Sequence, residues 1–297
     1  MSYYLGQTLP LKQKLTLFNQ IFKLGLDLEP DNLLDKNRPL SEQSMATPGN
    51  ITWLNLMTTD PELANRYYQE LFPWRVNAHE APGIGTITVY QLGDKSFGGP
   101  MALDPKYKIP SHWITYFSVI DVEKACRETE ENGGKVCYKP FDIPGMGKTA
   151  ILNDPNGTPF HVLAPETPNG AQNIVGSETG QICWLELMAD DPRKTGAFYE
   201  KVLDWTIAEE SPDPNIPYFV GKAGEVVVAG ILERPKEMEP INNWLPYFLV
   251  KNLEESSEAG QKMAGKKIMG PNSIPNLGTF SLFTDPTGAY FYLFENP

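Results

Sequence analysis

Glu186 sits in the apolar run Trp184-Leu185-Glu186-Leu187-Met188. A carboxylate among such neighbours is rare unless it is paired or used. Burial raises its pKa toward values that serve a general acid or base. The competing reading is a carboxylate that hydrogen-bonds a tyrosine or the backbone and only holds shape. Asn55 takes the same place in Trp53-Leu54-Asn55-Leu56-Met57. An amide cannot exchange protons, so acid/base chemistry is expected at Glu186 and not at Asn55. His161 is the third candidate, a lone histidine in a strand-like segment, where a structural role competes with that of base or donor. His79 and His112 fall in expected loops and receive no role.

Other chemistries find little support. Cys126, Cys137 and Cys183 are odd in number and lack CxxC or Cys/His spacing. A disulfide framework and a structural zinc site are therefore not expected, and a reducing compartment fits. No Ser-His-Asp or Cys-His order stands out for a covalent nucleophile. No GxGxxG or GxxxxGK[ST] run opens a helix, so a nucleotide fold is not expected.

These candidates lie on a repeat. WLNLMTTDP from Trp53 returns as WLELMADDP from Trp184, an offset of 184 minus 53, or 131 residues. A repeat of that length means one fold written twice. Each copy opens with a β-rich alternating strand. An Asp-Pro pair follows, Asp60-Pro61 or Asp191-Pro192, to cap and start a helix. Trp74 and Trp205 close those helices and are read as core plugs. Strands are expected at 86–92 and 218–221. The glycines of Phe97–Met101 and Val228–Leu232 suggest close backbone approach or a bulge. Trp113/Trp244, Tyr116/Tyr247 and Phe117/Phe248 keep the offset within strand-to-helix units that end near Gly133 and Gly265. Each copy closes on a hairpin around Asp-Pro-x-Gly.

Residues 1–47 have no counterpart. Leu11, Leu15, Phe18, Ile21, Phe22 and Leu26 predict an amphipathic helix. Its apolar face is expected to dock on the body or on a twin subunit, with a membrane-surface helix as the alternative. The division expected is 1–47 as helical extension and linker, 48–166 and 180–297 as domains, and 167–179 as linker.

The formal net charge of −12 argues against a nucleic-acid partner, which needs clustered Lys and Arg. It also disfavours anionic membranes. No apolar run approaches transmembrane length and no leader pattern opens the chain, so a cytoplasmic location is expected.

The strand running into Asp-Pro plus helix, and the closing hairpins DPNGTPFHVL and DPTGAYFYLF, resemble the vicinal-oxygen-chelate superfamily. That superfamily holds glyoxalases, extradiol dioxygenases and bleomycin-resistance proteins. The resemblance implies an α+β fold of two tandem domains, each of paired βαβββ modules forming an open β-cup with the active site inside. It implies metal-ligand places at Trp53, Ile114 and His161 in the first domain and at Trp184, Leu245 and Tyr292 in the second. Five of these six cannot hold a divalent metal in the usual way. A shift of alignment would bring in Asn55, Glu186 or His112, without assembling three good ligands. No metal and no cofactor are therefore expected.

Strand alternation then lines the first cup with Trp53, Asn55, Met57, Tyr116, Ser118, His161 and Leu163. The second is lined by Trp184, Glu186, Met188, Tyr247, Leu249, Tyr290, Tyr292 and Phe294, with Leu245 beside them. Both suit a flat, mostly apolar small molecule. Glu186, Tyr247, Tyr292 and His161 are the expected catalytic residues. Trp184, Met188, Leu245, Tyr290, Phe294, Trp53, Asn55 and Tyr116 are the expected binding residues. The functional expectation is a metal-independent isomerase, cyclase, dehydratase or epoxide-opening enzyme. Sequestration of a ligand, as in bleomycin-resistance relatives, and a metal enzyme after all stand as alternatives. Either a monomer or a homodimer is compatible with the tandem repeat.

Overall fold

The structure is a computed structural model that describes residues 47–297 except 82–84, 105, 107, 168–172, 211–216, 235–240 and 275–276. The expected N-terminal helix lies outside the described residues. The rest forms two eight-stranded sheets of the same design.

In the first repeat, β1 (Ile51–Thr58) leads into α1 (Pro61–Leu71), then β2 (Arg75–Ala81), β3 (Gly85–Leu92) and β4 (Lys95–Ala102). The second module is β5 (His112–Ser118), α2 (Val122–Glu131), β6 (Lys135–Ile143), β7 (Gly147–Asn153) and β8 (Pro159–Pro165). The sheet order is β2-β3-β4-β1-β5-β8-β7-β6. The two modules meet at the antiparallel β1–β5 pair, while β1–β4 and β5–β8 run parallel. The second repeat copies this with β9 (Ile182–Ala189), α3 (Pro192–Leu203), β10 (Thr206–Glu209), β11 (Tyr218–Ala223) and β12 (Val226–Glu233). Then follow β13 (Leu245–Leu249), α4 (Leu253–Lys262), β14 (Lys266–Ile274), β15 (Gly278–Thr284) and β16 (Tyr290–Glu295).

The local causes are those the sequence suggests. Asp60 and Asp191 accept hydrogen bonds from Leu63 N and Lys194 N at 3.0 Å, with Pro at the first helical position. Asp121 and Asn252 cap α2 and α4 in the same way. Such caps satisfy amides that a helix leaves unpaired at its start. Gly98 and Gly99 sit where a Cβ would strike the Leu54 and Thr88 carbonyl oxygens, which is the close approach expected there. Two expectations fail locally. His112 opens β5 and is buried, and His79 is an exposed residue of β2. The prolines at 105 and 110 hid the start of β5, and β2 carries no hydrophobic alternation.

The helices of the two repeats pack on one another, α1 against α4 and α2 against α3. One apolar core runs between the sheets, built from both repeats. Trp74 and Trp205 are buried in it, and each donates its indole N–H across the pseudo-twofold, to Gly180 O at 2.8 Å and to Gly49 O at 2.9 Å. The Tyr68 hydroxyl donates to Asp285 Oδ2 at 3.1 Å, and the Tyr199 hydroxyl to Asp154 Oδ2 at 3.3 Å. Those aspartates also bind their own turns, Asp154 Oδ1 accepting from Asn156 N and Thr158 N, and Asp285 Oδ1 from Thr287 N and Ala289 N. The helix of each repeat is thus tied to the Asp-Pro-x-Gly turn of the other. No helix among the described residues is long and apolar enough to cross a membrane.

Candidate functional site

The opposite faces of the sheets form two separate clusters, one per repeat. In the first, the row Trp53–Tyr116–His161 crosses β1, β5 and β8, and Asn55 pairs with Ile114 in the next row. In the second, Trp184–Tyr247–Tyr292 crosses β9, β13 and β16, and Glu186 pairs with Leu245. Paired residues on neighbouring strands share a face, so both rows look into the cups as the alternation predicts.

Glu186 is 1 % exposed. Its Oε1 accepts a hydrogen bond from the Tyr247 hydroxyl at 2.9 Å. Burial raises its pKa to about 7, against the pull of the Tyr247, Tyr218 and Tyr292 hydroxyls, which favour the carboxylate. The same burial, with Glu186 nearby, drives the three phenols well above their ordinary pKa, so all three stay protonated. The Tyr247 and Tyr292 rings stack with centroids 3.9 Å apart and planes 16° apart. Each ring restrains the other, so Tyr247 keeps its hydroxyl on the Glu186 carboxyl. Met188 and Leu245 are buried beside them, while Trp184, Tyr290 and Phe294 are half-buried.

Tyr218 was not among the expected residues, yet it reaches this carboxyl from β11. Gly230 makes room for it, since a Cβ there would overlap the Tyr218 hydroxyl. The signal was legible in hindsight only as a pairing: a tyrosine on one strand and a glycine on the next. Asn272 on β14 was also missed. It faces the same cup and is buried, with neither carboxamide atom hydrogen-bonded among the described residues.

The first cup is chemically quieter. The Asn55 amide donates to Gly99 O at 3.2 Å. His161 packs on Tyr116 with ring centroids 4.2 Å apart, and its Nδ1 has no hydrogen-bond partner among the described residues. Burial pushes the imidazole pKa down to about 3, so the ring is neutral. Ser118, expected to line this cup, spends its hydroxyl on Thr47 O at 2.6 Å. His112 Nδ1 donates to Pro110 O at 2.8 Å, and the ring faces the cup opposite Met57.

A family model described as the Glyoxalase/Bleomycin resistance protein/Dioxygenase superfamily matches residues 50–162 and 181–293. The chain belongs to that superfamily. It is similar to the putative glyoxylase CFP32 of Mycobacterium tuberculosis, 32 % identical over 254 residues, covering 84 % of this chain and 95 % of the relative. It is similar to the anthracycline biosynthesis protein DauV of Streptomyces sp. strain C5, 26 % identical over 265 residues, covering 84 % and 94 %. In fold it matches the Mn(II)-bound glyoxalase of Novosphingobium aromaticivorans with a TM-score of 0.55 at 13 % identity, covering 84 % and 82 %.

The superfamily's metal places hold few donors in this chain. The second cup offers one carboxylate, Glu186, with phenols and aliphatic chains around it. The first offers two imidazoles, His161 in a row with Trp53 and Tyr116, and His112 opposite Met57, itself tied to Pro110 O. No group of three His, Cys, Asp or Glu side chains comes together among the described residues. Divalent metals want three or more such donors from one site. The donor set does not fit the metal.

Proposed function

We propose that the second cup is the reactive one and that it performs proton-transfer chemistry without a bound metal on a small, uncharged, largely apolar or aromatic metabolite. The observation that carries this reading is the Glu186 carboxyl, buried with a pKa near 7 and flanked by protonated phenols. A carboxyl whose pKa burial lifts toward neutrality can both give and take a proton. The protonated acid donates to one atom of the substrate, and the carboxylate so formed removes a proton from another. The acid is restored and the net change is an isomerisation; with loss of a leaving group or ring closure it is a dehydration or cyclisation. The Tyr292 hydroxyl, which has no hydrogen-bond partner among the described residues, orients and polarises a substrate carbonyl, while Tyr247 donates to Glu186 and holds its carboxyl in place. The relative named for anthracycline biosynthesis supports an aromatic, secondary-metabolite type of substrate.

A second reading, sequestration without chemistry, is favoured for the first cup. Asn55 exchanges no proton, and His161, held neutral far below pH 7, is a weak base. There His161 and Tyr116 serve a bound molecule as neutral polar contacts beside Trp53.

Conversion of an aromatic-polyketide extract, followed by mass spectrometry, tests the proposal. Glu186→Gln is expected to cut kcat/KM at least a hundredfold, with chelator-treated wild type fully active. Full turnover by Glu186→Gln, or activity lost to a chelator and restored by a divalent metal, overturns it. A compound that binds wild type and returns unchanged assigns the second cup to sequestration as well.

A further inference from the structure

Asn272 is the polar feature of the second cup that Glu186 and its phenols leave unexplained. It lies on β14 opposite Phe280 of β15, and Ile274, two residues on, lines the same face. Phe280 in turn touches Tyr247 and Tyr292, with ring centroids 5.9 and 5.7 Å away. Directly paired antiparallel residues point the same way, so Asn272 faces the cup. It is 4 % exposed, and both its carboxamide nitrogen and its oxygen lack a hydrogen-bond partner among the described residues. The Tyr292 hydroxyl, close to Glu186 and Tyr247, likewise has no partner at hydrogen-bonding geometry.

An unmet buried polar group costs about 1–3 kcal/mol. The fold does not demand that cost at this position. The first repeat carries Phe141 at the matching place, paired with Thr149 as Asn272 is with Phe280. A carboxamide has a donor and an acceptor side by side, so its complement is a group with an acceptor and a donor side by side. A charged complement is disfavoured. Among the described residues, those around Glu186 are Trp184, Met188, Tyr218, Tyr247 and Tyr292, none cationic, so an anionic ligand would be buried near a carboxyl with no counter-charge from them.

We infer that Asn272 is a specificity-determining residue of the second cup, selecting an uncharged ligand with an adjacent donor and acceptor, as in a carboxamide or a hydroxyl beside a carbonyl. Asn272 and Tyr292 lie two strands apart, and the Asn272–Phe280 row ends on Phe294, two residues from Tyr292, so about 12 Å separates their backbones. A body on the order of two fused rings spans that gap, one polar edge on Asn272 and the other toward the Tyr292 hydroxyl. The inference rests on the second cup as the ligand site, and is independent of whether Glu186 moves a proton.

Three naphthalenes that differ in one substituent test it on the full chain. They are 2-naphthamide, with donor and acceptor, 2-acetylnaphthalene, with an acceptor alone, and the 2-naphthoate anion. Titration is followed by tryptophan fluorescence and calorimetry. The amide is expected to bind about tenfold tighter than the ketone, and the carboxylate weakest. Asn272→Leu is expected to weaken both, the amide more because it loses two hydrogen bonds to the ketone's one, and to leave the two within about twofold of each other. Its thermal midpoint is expected to equal or exceed that of wild type, because an unmet amide has been removed. Absent amide binding, equal affinity for amide and carboxylate, or unchanged amide binding by Asn272→Leu overturns the inference. So does a lowered midpoint or failure to fold, which assigns Asn272 to packing. If Asn272-dependent discrimination holds while Glu186→Gln still turns over, only the proton-transfer reading falls.

Discussion

Glu186 couples chemistry to stability in a way that can be measured without a substrate. Its folded-state pKa, about 7, stands above the ordinary value of 4.5. Between those values the folded chain holds a proton that the unfolded chain has lost, so stability falls as pH rises through this window. Its contribution is full below pH 4.5 and spent above pH 7. The shift corresponds to roughly 3 kcal/mol. Glutamine cannot ionise, so Glu186→Gln is expected to escape this loss. Urea melts at pH 5 and pH 8.5 should show the variant gaining on wild type at the higher pH by a few kcal/mol. Parallel pH dependence in the two proteins would mean that Glu186 ionises in the folded state as freely as in water. Asp154 and Asp285 also have raised pKa values from burial, but both proteins carry them and their effect cancels.

At the scale of elements, the second cup depends on what β12 leaves out. Gly230 pairs with Glu186 on one side and Val220 on the other, and its missing side chain is the space into which the Tyr218 hydroxyl extends. Gly230→Ala should therefore overfill the cup and destabilise by about 1–3 kcal/mol. Removing the hydroxyl instead makes room, so Gly230→Ala with Tyr218→Phe should be less destabilised than the two single changes predict together. A double-mutant cycle by denaturant melts measures that coupling; strict additivity would mean the ring does not sit over Gly230. This dependence explains what the sequence could disclose. The paired modules, the Asp-Pro helix starts and the inward rows of Trp184, Glu186, Tyr247 and Tyr292 follow from period and repeat, which are local signals. Tyr218 and Asn272 come from outer strands whose register is set by bulges, between Gly221 and Lys222 and between Met269 and Asn272. A bulge changes which face a residue takes, and nothing in a linear pattern announces it. His112 escaped for a related reason, being the first residue of a strand whose approach is written in proline.

At the scale of the molecule, duplication lets one chain act as its own partner. The aromatic core between the sheets draws Tyr68, Trp74, Trp113 and Phe248 into one cluster and Phe117, Tyr199, Trp205 and Trp244 into its counterpart. In each, one repeat supplies the rings that cover the other. The crossed bonds from Tyr68 to Asp285 and from Tyr199 to Asp154 then tie the helix of one repeat to the closing hairpin of the other. Those hairpins carry β8 and β16, which hold His161 and Tyr292 at the cup floors. Each floor is thereby braced from behind by the opposite repeat. Neither repeat buries this surface alone, and an exposed apolar face of that kind associates. Cutting the chain between residues 167 and 173 should give halves that self-pair or aggregate when made separately. Made together, they should form a one-to-one complex with the aromatic circular dichroism of the intact chain. Light scattering on the eluted species decides it: two independent monomers, each with native near-ultraviolet signal, would show that the repeats fold without one another and that the crossed aspartates brace nothing.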